Sequence, residues 1–219
     1  MQKFFFLTWS LSLFLISCGD NNGDDRYYIN PDLEEGCLGL QYPDMALSEF
    51  VVPWEIGKSY EITGNCNTHG GALGIQNYAY DIDMPIGTTI VASDSGIVVG
   101  VEESFSDFNG SVHQLNYVFI QHKDMTITRY YHLTTDGALV EVNDEVIQGQ
   151  AIALSGGSGD PGYAHLHFDL VSDECIEKIE LGGNYDIQIS CQTIAVVFSN
   201  TRIQDRGLNI GELYEALPY

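Results

Sequence analysis

Short runs of alternating apolar and polar residues, broken roughly every 8 to 12 positions by Gly, Asn or Asp, fill most of this chain. The runs are "KSYEIT", "NYAYDIDM", "TTIVAS", "GIVVGVEE", "NYVFIQH", "TITRYYHL", "EVIQGQAIALSG", "AHLHFDLV" and "IAVVFSN". A period of two sends successive side chains to opposite faces, so each run can bury one face of a strand. No heptads, long amphipathic helices or internal repeats compete with that reading. The pattern predicts a mainly β fold. The segments "MPIGT", "DSG", "DFNG", "TTDG" and "VND" read as turns. Two loops are longer: "GNCNTHGGALGIQ" before Asp81, and the stretch from Ser172 to about Tyr185. The terminal "IGELYEALPY" reads as one helical turn or two.

The N-terminus is of another kind. Behind Lys3, residues Phe4 to Ile16 form a mostly apolar stretch of 13 residues. That is too short to span a bilayer and suits the apolar region of a secretory signal. It ends in "LISC", which resembles a bacterial lipobox, so residues 1–17 are expected to be removed and Cys18 to carry lipid. The polar, acidic residues 18–36 read as a flexible tether and resemble the export signals of surface lipoproteins. The expected location is therefore outside the cytoplasm, lipid-anchored to the bacterial outer membrane or cell surface. Residues 37–57 are expected to form an N-terminal extension, 58–199 the main β domain, and 200–219 a tail.

With 31 acidic against 8 basic residues, a net charge of −23 argues against a nucleic-acid partner and against docking on anionic lipid heads. Membrane contact is expected only through the lipid on Cys18. Four cysteines follow it: Cys37, Cys66, Cys175 and Cys191. In an exported chain an even number suggests two disulfides, and proximity favours Cys37 with Cys66 and Cys175 with Cys191.

"GYAHLHFDL" holds the chemistry. His165, His167 and Asp169 share one strand face, with the two histidine Cα atoms roughly 7 Å apart, while Leu166, Phe168 and Leu170 share the other. Two readings are open: a solvated polar face, or a metal or acid–base site, since neutral imidazole ligates zinc and titrates near neutrality. Elsewhere Asp81 ends an aromatic strand, and His132 ends "TITRYYH". These segments, with "GTTIVASDSGIV", "YYHL", "VNDEVIQGQAIALSGGSG" and "HLHF" in this order, resemble the lysostaphin-type zinc peptidases that cut bacterial peptidoglycan. The resemblance covers roughly residues 58–199.

It implies an antiparallel sheet curled into a half-open barrel of the duplicated-hybrid-motif type, with a groove across it. It also implies one Zn2+ held by the His and Asp of a HxxxD motif and the second His of HxH. Two more histidines, those of YxHL and the first of HxH, flank the water that the metal activates. Position by position, Asp81 and His167 become ligands, and His132 and His165 become catalytic. One position departs: Asn77 stands four residues before Asp81, where the family has its first ligand His. Either Asn77 leaves the site degenerate, or His69 reaches in from the preceding loop. His113 and His122 match no motif and are expected at the surface. The function implied is a zinc-dependent endopeptidase on peptidoglycan stems or cross-links. The alternatives are a degenerate cell-wall-binding or regulatory module and a peptidase acting on a non-wall peptide.

Overall fold

The computed structural model describes residues 40–69, 76–172, 174, 191–202 and 207–219. The signal segment, Cys18, the tether, Cys37, Cys175 and nearly all of the loop after Ser172 lie outside the described residues. The strands are β1 (Ser59–Gly64), β2 (Tyr80–Ile82), β3 (Thr89–Val91), β4 (Gly96–Glu102), β5 (Tyr117–Gln121), β6 (Ile127–Tyr131), β7 (Leu133–Ala138), β8 (Glu145–Val146), β9 (Ala151–Ser155), β10 (Leu166–Val171) and β11 (Leu213–Glu215). They build an eight-stranded sheet in the order β11-β1-β2-β10-β6-β5-β4-β8 and a three-stranded sheet in the order β3-β9-β7. Every neighbouring pair is antiparallel. The outer strands β8 and β11 do not pair with each other, so the large sheet is no closed barrel. The mainly β architecture expected from the alternation is the one adopted. Among the described residues no helix is long and apolar enough to cross a membrane.

One face of the large sheet carries Ile62, Tyr80, Ile82, Val118, Ile120, Tyr130, Leu166, Phe168 and Leu170. They pack in one buried cluster with Ile90, Leu133, Ile152 and Ala153 of the smaller sheet. Each fully buried side chain of this size contributes about 1.5–3 kcal/mol, and that burial holds the two layers together. The opposite face has its own smaller cluster of Leu115, Tyr117, Phe119, Ile127, Tyr131, Val171 and Cys191. The functional side chains lie on this second face.

The core runs past the boundaries expected for it. Val52 and Trp54 from the supposed extension, and Leu208, Tyr214 and Ala216 from the supposed tail, belong to the main cluster. "IGELYEALPY" makes the edge strand β11, where Leu213 and Glu215 are exposed and Tyr214 is buried. That period of two decides for a strand, and β1 supplies the pairing partner. Conversely, "IAVVFSN" forms no strand. Its buried carbonyls are satisfied by side chains instead: Ser48 Oγ donates to Val197 O at 2.6 Å and Tyr80 Oη to Val196 O at 3.1 Å. The "TTDG" turn lies inside β7, whose pairing with β9 shifts register between Leu133 and Ala138. A positive φ of 52° at Asp136 absorbs the turn there.

Candidate metal centre

Strand register assembles the centre. β10 lies between β2 and β6, and His167 sits directly opposite both Asp81 and Tyr131. One row further on, Asp169 faces Arg129. The face holding His165, His167 and Asp169 is not solvated, because these residues are 4 %, 2 % and 0 % exposed. His132 follows β6 with a φ of 62°, a left-handed conformation uncommon outside glycine and costing about 1–3 kcal/mol. That turn brings its ring to 4.7 Å from the His165 ring, centroid to centroid.

His69 arrives from a place where no helix was expected. It ends a single turn, α1 (Cys66–His69), immediately behind β1. The Asn65 carbonyl starts this turn by accepting from the amides of Thr68 and His69, both at 2.9 Å. The Asn65 side chain is itself held by the Leu208 carbonyl at 3.1 Å. Gly64 leaves room for the carboxylate of Asp81. A Cβ there would lie 2.4 Å from Asp81 Oδ2, closer than any real contact.

The result is a compact donor set. His69 Nε2 lies 2.9 Å from Asp81 Oδ2, and His167 Nδ1 lies 2.9 Å from Asp81 Oδ1. His165 Nε2 stands 3.5 Å from the same Oδ1. One ligand atom from each of His69, Asp81 and His167 falls within 4.8 Å of the others. His69 Nε2 is buried and makes no hydrogen bond, despite touching a carboxylate oxygen. A nitrogen unsatisfied against an oxygen, beside a second imidazole, fits a divalent cation. Imidazole and carboxylate are also donors that zinc prefers. Asn77 lies in the turn before β2 with its Oδ1 buried and unpartnered.

Electrostatics follow from burial and these contacts. Burial works to raise the Asp81 carboxyl, but the imidazoles of His69, His165 and His167 outweigh it and hold the acid well below its usual range. Burial lowers His132, reinforced by His165 and His167, to about 3. That ring is neutral at working pH. A carbonyl can only accept, so the 2.8 Å contact with Ser158 O makes His132 Nδ1 the donor and leaves Nε2 as a lone pair. His165 Nδ1 likewise donates to Tyr163 O at 3.1 Å. For His167 burial works downward, yet the carboxylates of Asp169 and Asp81 beside its two ring nitrogens carry it up to about 9.

His113 is exposed, as expected. His122 is not at the surface. It is 3 % exposed, with Nδ1 at 3.0 Å from Ser95 O and Nε2 at 2.9 Å from Thr128 Oγ1, so both nitrogens are occupied in a structural role. Three contributors had no motif to announce them. Gly64 backs Asp81, Tyr163 tilts over the His165 ring at 4.7 Å, and Arg129 lies fully buried beneath the centre. Arg129 alone left a trace, as the single charged residue on the buried positions of "TITRYYH".

A two-layer antiparallel scaffold presenting two imidazoles and a carboxylate, with two more imidazoles alongside, defines a candidate metal-dependent centre. Residues 76–177 match the model of Peptidase family M23. Over 112 residues it is 35 % identical to the peptidoglycan DD-endopeptidase ShyC of Vibrio cholerae serotype O1, covering 51 % of this chain and 22 % of that protein. Over 124 residues it is 33 % identical to the peptidoglycan DD-endopeptidase ShyA of the same organism, covering 54 % and 25 %. The chain thus spans about a quarter of these relatives' length. Among solved structures, the catalytic domain of lysostaphin from Staphylococcus simulans is 28 % identical, covering 57 % of this chain and 79 % of that one, with a TM-score of 0.37.

Proposed function

We propose that this domain is a zinc-dependent endopeptidase that hydrolyses peptide bonds in peptidoglycan stems or cross-links. The observation carrying the proposal is the convergence of His69, Asp81 and His167, ligand atoms within 4.8 Å of one another, beside His132 and His165. Relatives named peptidoglycan DD-endopeptidases support the substrate class. In this reading His69, Asp81 and His167 hold the cation, with His69 standing in for the histidine that Asn77 replaces. Three protein ligands are the usual complement of a catalytic zinc. Zinc held there polarises the scissile carbonyl and lowers the pKa of a water toward about 7.

The chain's own residues handle the protons. His132 is neutral, with Nδ1–H tied to Ser158 O, so its Nε2 is free to take the attacking water's proton and return it to the leaving amine. His165, its Nδ1–H fixed by Tyr163 O and its Nε2 adjacent to Asp81, is placed to support the oxyanion that develops at the scissile carbonyl when Nε2 also carries a proton. Incubating the purified mature chain with peptidoglycan should release new amine termini. A chelator should stop the release and added zinc should restore it. Wall binding without cleavage would favour the binding-module reading. Cleavage of protein but not wall peptides would favour the non-wall peptidase.

The reading extends to location and cross-links. Export, a lipid on Cys18 at the outer membrane or cell surface, and the pairs Cys37–Cys66 and Cys175–Cys191 complete the proposal. "LISC" supports the first two, and the burial of Cys66 and Cys191, at 2 % and 1 % exposed, suits the last. Fatty-acid labelling lost in Cys18→Ser, and peptide mapping without reduction, test them.

A further inference from the structure

Beneath the candidate metal centre lies a charged pair that the proton chemistry does not use. Arg129 Nε donates to Asp169 Oδ1 at 2.6 Å, and an Arg129 terminal nitrogen donates to Asp169 Oδ2 at 2.7 Å. Both side chains are 0 % exposed. Around the pair on this face of the sheet lie Tyr117, Phe119, Ile127, Tyr131 and Val171, with the Arg129 guanidinium 5.5 Å from the centre of the Tyr131 ring. Stability alone gives no reason to put two charges there, since replacing a buried ion pair by well-packed apolar residues is often neutral or stabilising. The pair is therefore informative about something other than stability.

Its position says what. Asp169 is two residues beyond His167 on the same face of β10, and its Oδ2 lies 3.4 Å from His167 Nε2. No hydrogen bond satisfies that Nε2 among the described residues. The other ring nitrogen, Nδ1, is the one that meets Asp81 at 2.9 Å. The imidazole is thus sandwiched between two carboxylates, one at each nitrogen. Arg129 occupies both oxygens of Asp169 and holds that carboxylate in place and charged.

We propose that Arg129 and Asp169 are positioning residues that hold the Nε2–H of His167 against Asp169, so that Nδ1 is the nitrogen presented to the cation. This rests on the reading of His69, Asp81 and His167 as a metal site. A histidine ligand needs its non-coordinating N–H directed at an acceptor, and losing that acceptor typically costs about 10–100-fold in metal affinity. The arrangement also explains why an arginine is buried here. Without it, Asp169 would keep only the His167 ring beside it and would lose the two contacts that orient it.

Two measurements test the proposal. Removing Asp169 alone takes the two-oxygen partner from a buried guanidinium, so the variant to make is the neutral pair Arg129→Gln with Asp169→Asn. With folding verified by circular dichroism, zinc affinity by competition with a chromophoric chelator should fall about 10–100-fold. Wild-type affinity in the folded double variant would overturn the proposal. The second measurement uses the unaltered protein. Nitrogen-15 spectra of the zinc-stripped protein should show a His167 Nε2–H protected from exchange, and cadmium-113 should couple to His167 Nδ1. A rapidly exchanging Nε2–H, or coupling to Nε2, would also overturn it. If the wild-type chain binds neither metal while Nε2–H is protected, the orientation of His167 stands and the zinc reading falls.

Discussion

The two faces of β10 are buried almost equally by opposite means. Leu166, Phe168 and Leu170 are 0 %, 0 % and 3 % exposed, and they are held by contact with the smaller sheet. His165, His167 and Asp169 are 4 %, 2 % and 0 % exposed, and each is held by a specific polar partner: Tyr163 O, Asp81 and Arg129. An apolar face tolerates a swap of similar volume, because dispersion and transfer energies have little directionality. A buried polar face does not, since losing one partner leaves the other unsatisfied at about 1–3 kcal/mol, and more for a charge. One strand thus has a forgiving side and an unforgiving one, and substitutions should report which side they touch.

The greatest effect should come from the centre of the unforgiving side. If His69, Asp81 and His167 hold zinc, His167→Ala removes a ligand and uncovers Asp81 and Asp169 together, so bound zinc and peptidoglycan cleavage should both fall below detection. Elemental analysis of the purified variant checks the first, and an amine-release assay the second. Retained zinc would remove His167 from the ligand set. Next comes the contrast between His69→Ala and Asn77→Ala. The first should lose most of the metal and the second should keep it, because the donor set closes through His69. Full occupancy in His69→Ala would return the third ligand position to Asn77.

His132→Ala and His165→Ala should lower turnover by about 10²–10⁴-fold, the usual worth of a positioned acid or base, with zinc content nearly unchanged. A loss of zinc in either would break the division between ligands and proton carriers. The forgiving side gives the control. Phe168→Ala should cost about 3–5 kcal/mol of stability in a denaturant melt, while the folded fraction keeps its zinc. Zinc loss in that folded fraction would show that the two faces are coupled.

How much of this was legible beforehand also divides along the two faces. The apolar face was plain, because Leu166, Phe168 and Leu170 alternate without interruption and only a strand accounts for them. The polar face showed residue types but not partners. Asp81 and His167 lie 86 residues apart in the chain and meet only through the β2–β10 register, a long-range fact that no local window contains. His69 could be nominated from its chemistry, but Asn65, whose carbonyl starts the single turn that delivers it, is held by the Leu208 carbonyl, again a long-range contact. β11 was misjudged for the same reason: a short amphipathic tail takes its type from the neighbour it pairs with, here β1. His122 was misplaced because a lone histidine gives no sign that Ser95 and Thr128 will flank it.

The smallest expected effect concerns protons at the polar face, and it can be worked out with its sign. His167 Nδ1 donates to Asp81, and the two carboxylates carry its pKa from the usual 6.5 to about 9. A raised pKa stabilises the protonated fold, so in zinc-stripped protein this contribution is fully present below about pH 6.5 and is lost as pH rises through about 9. Zinc reverses the trend, because a cation at Nδ1 must displace that proton. Between pH 7 and pH 8, both below the folded pKa, apparent zinc affinity should therefore rise about tenfold, one proton being released per ion bound. Above pH 9 this contribution should level off. Calorimetric titrations in two buffers of different ionisation enthalpy would count the protons directly. A zinc affinity independent of pH across that unit would mean that His167 does not coordinate through the nitrogen facing Asp81.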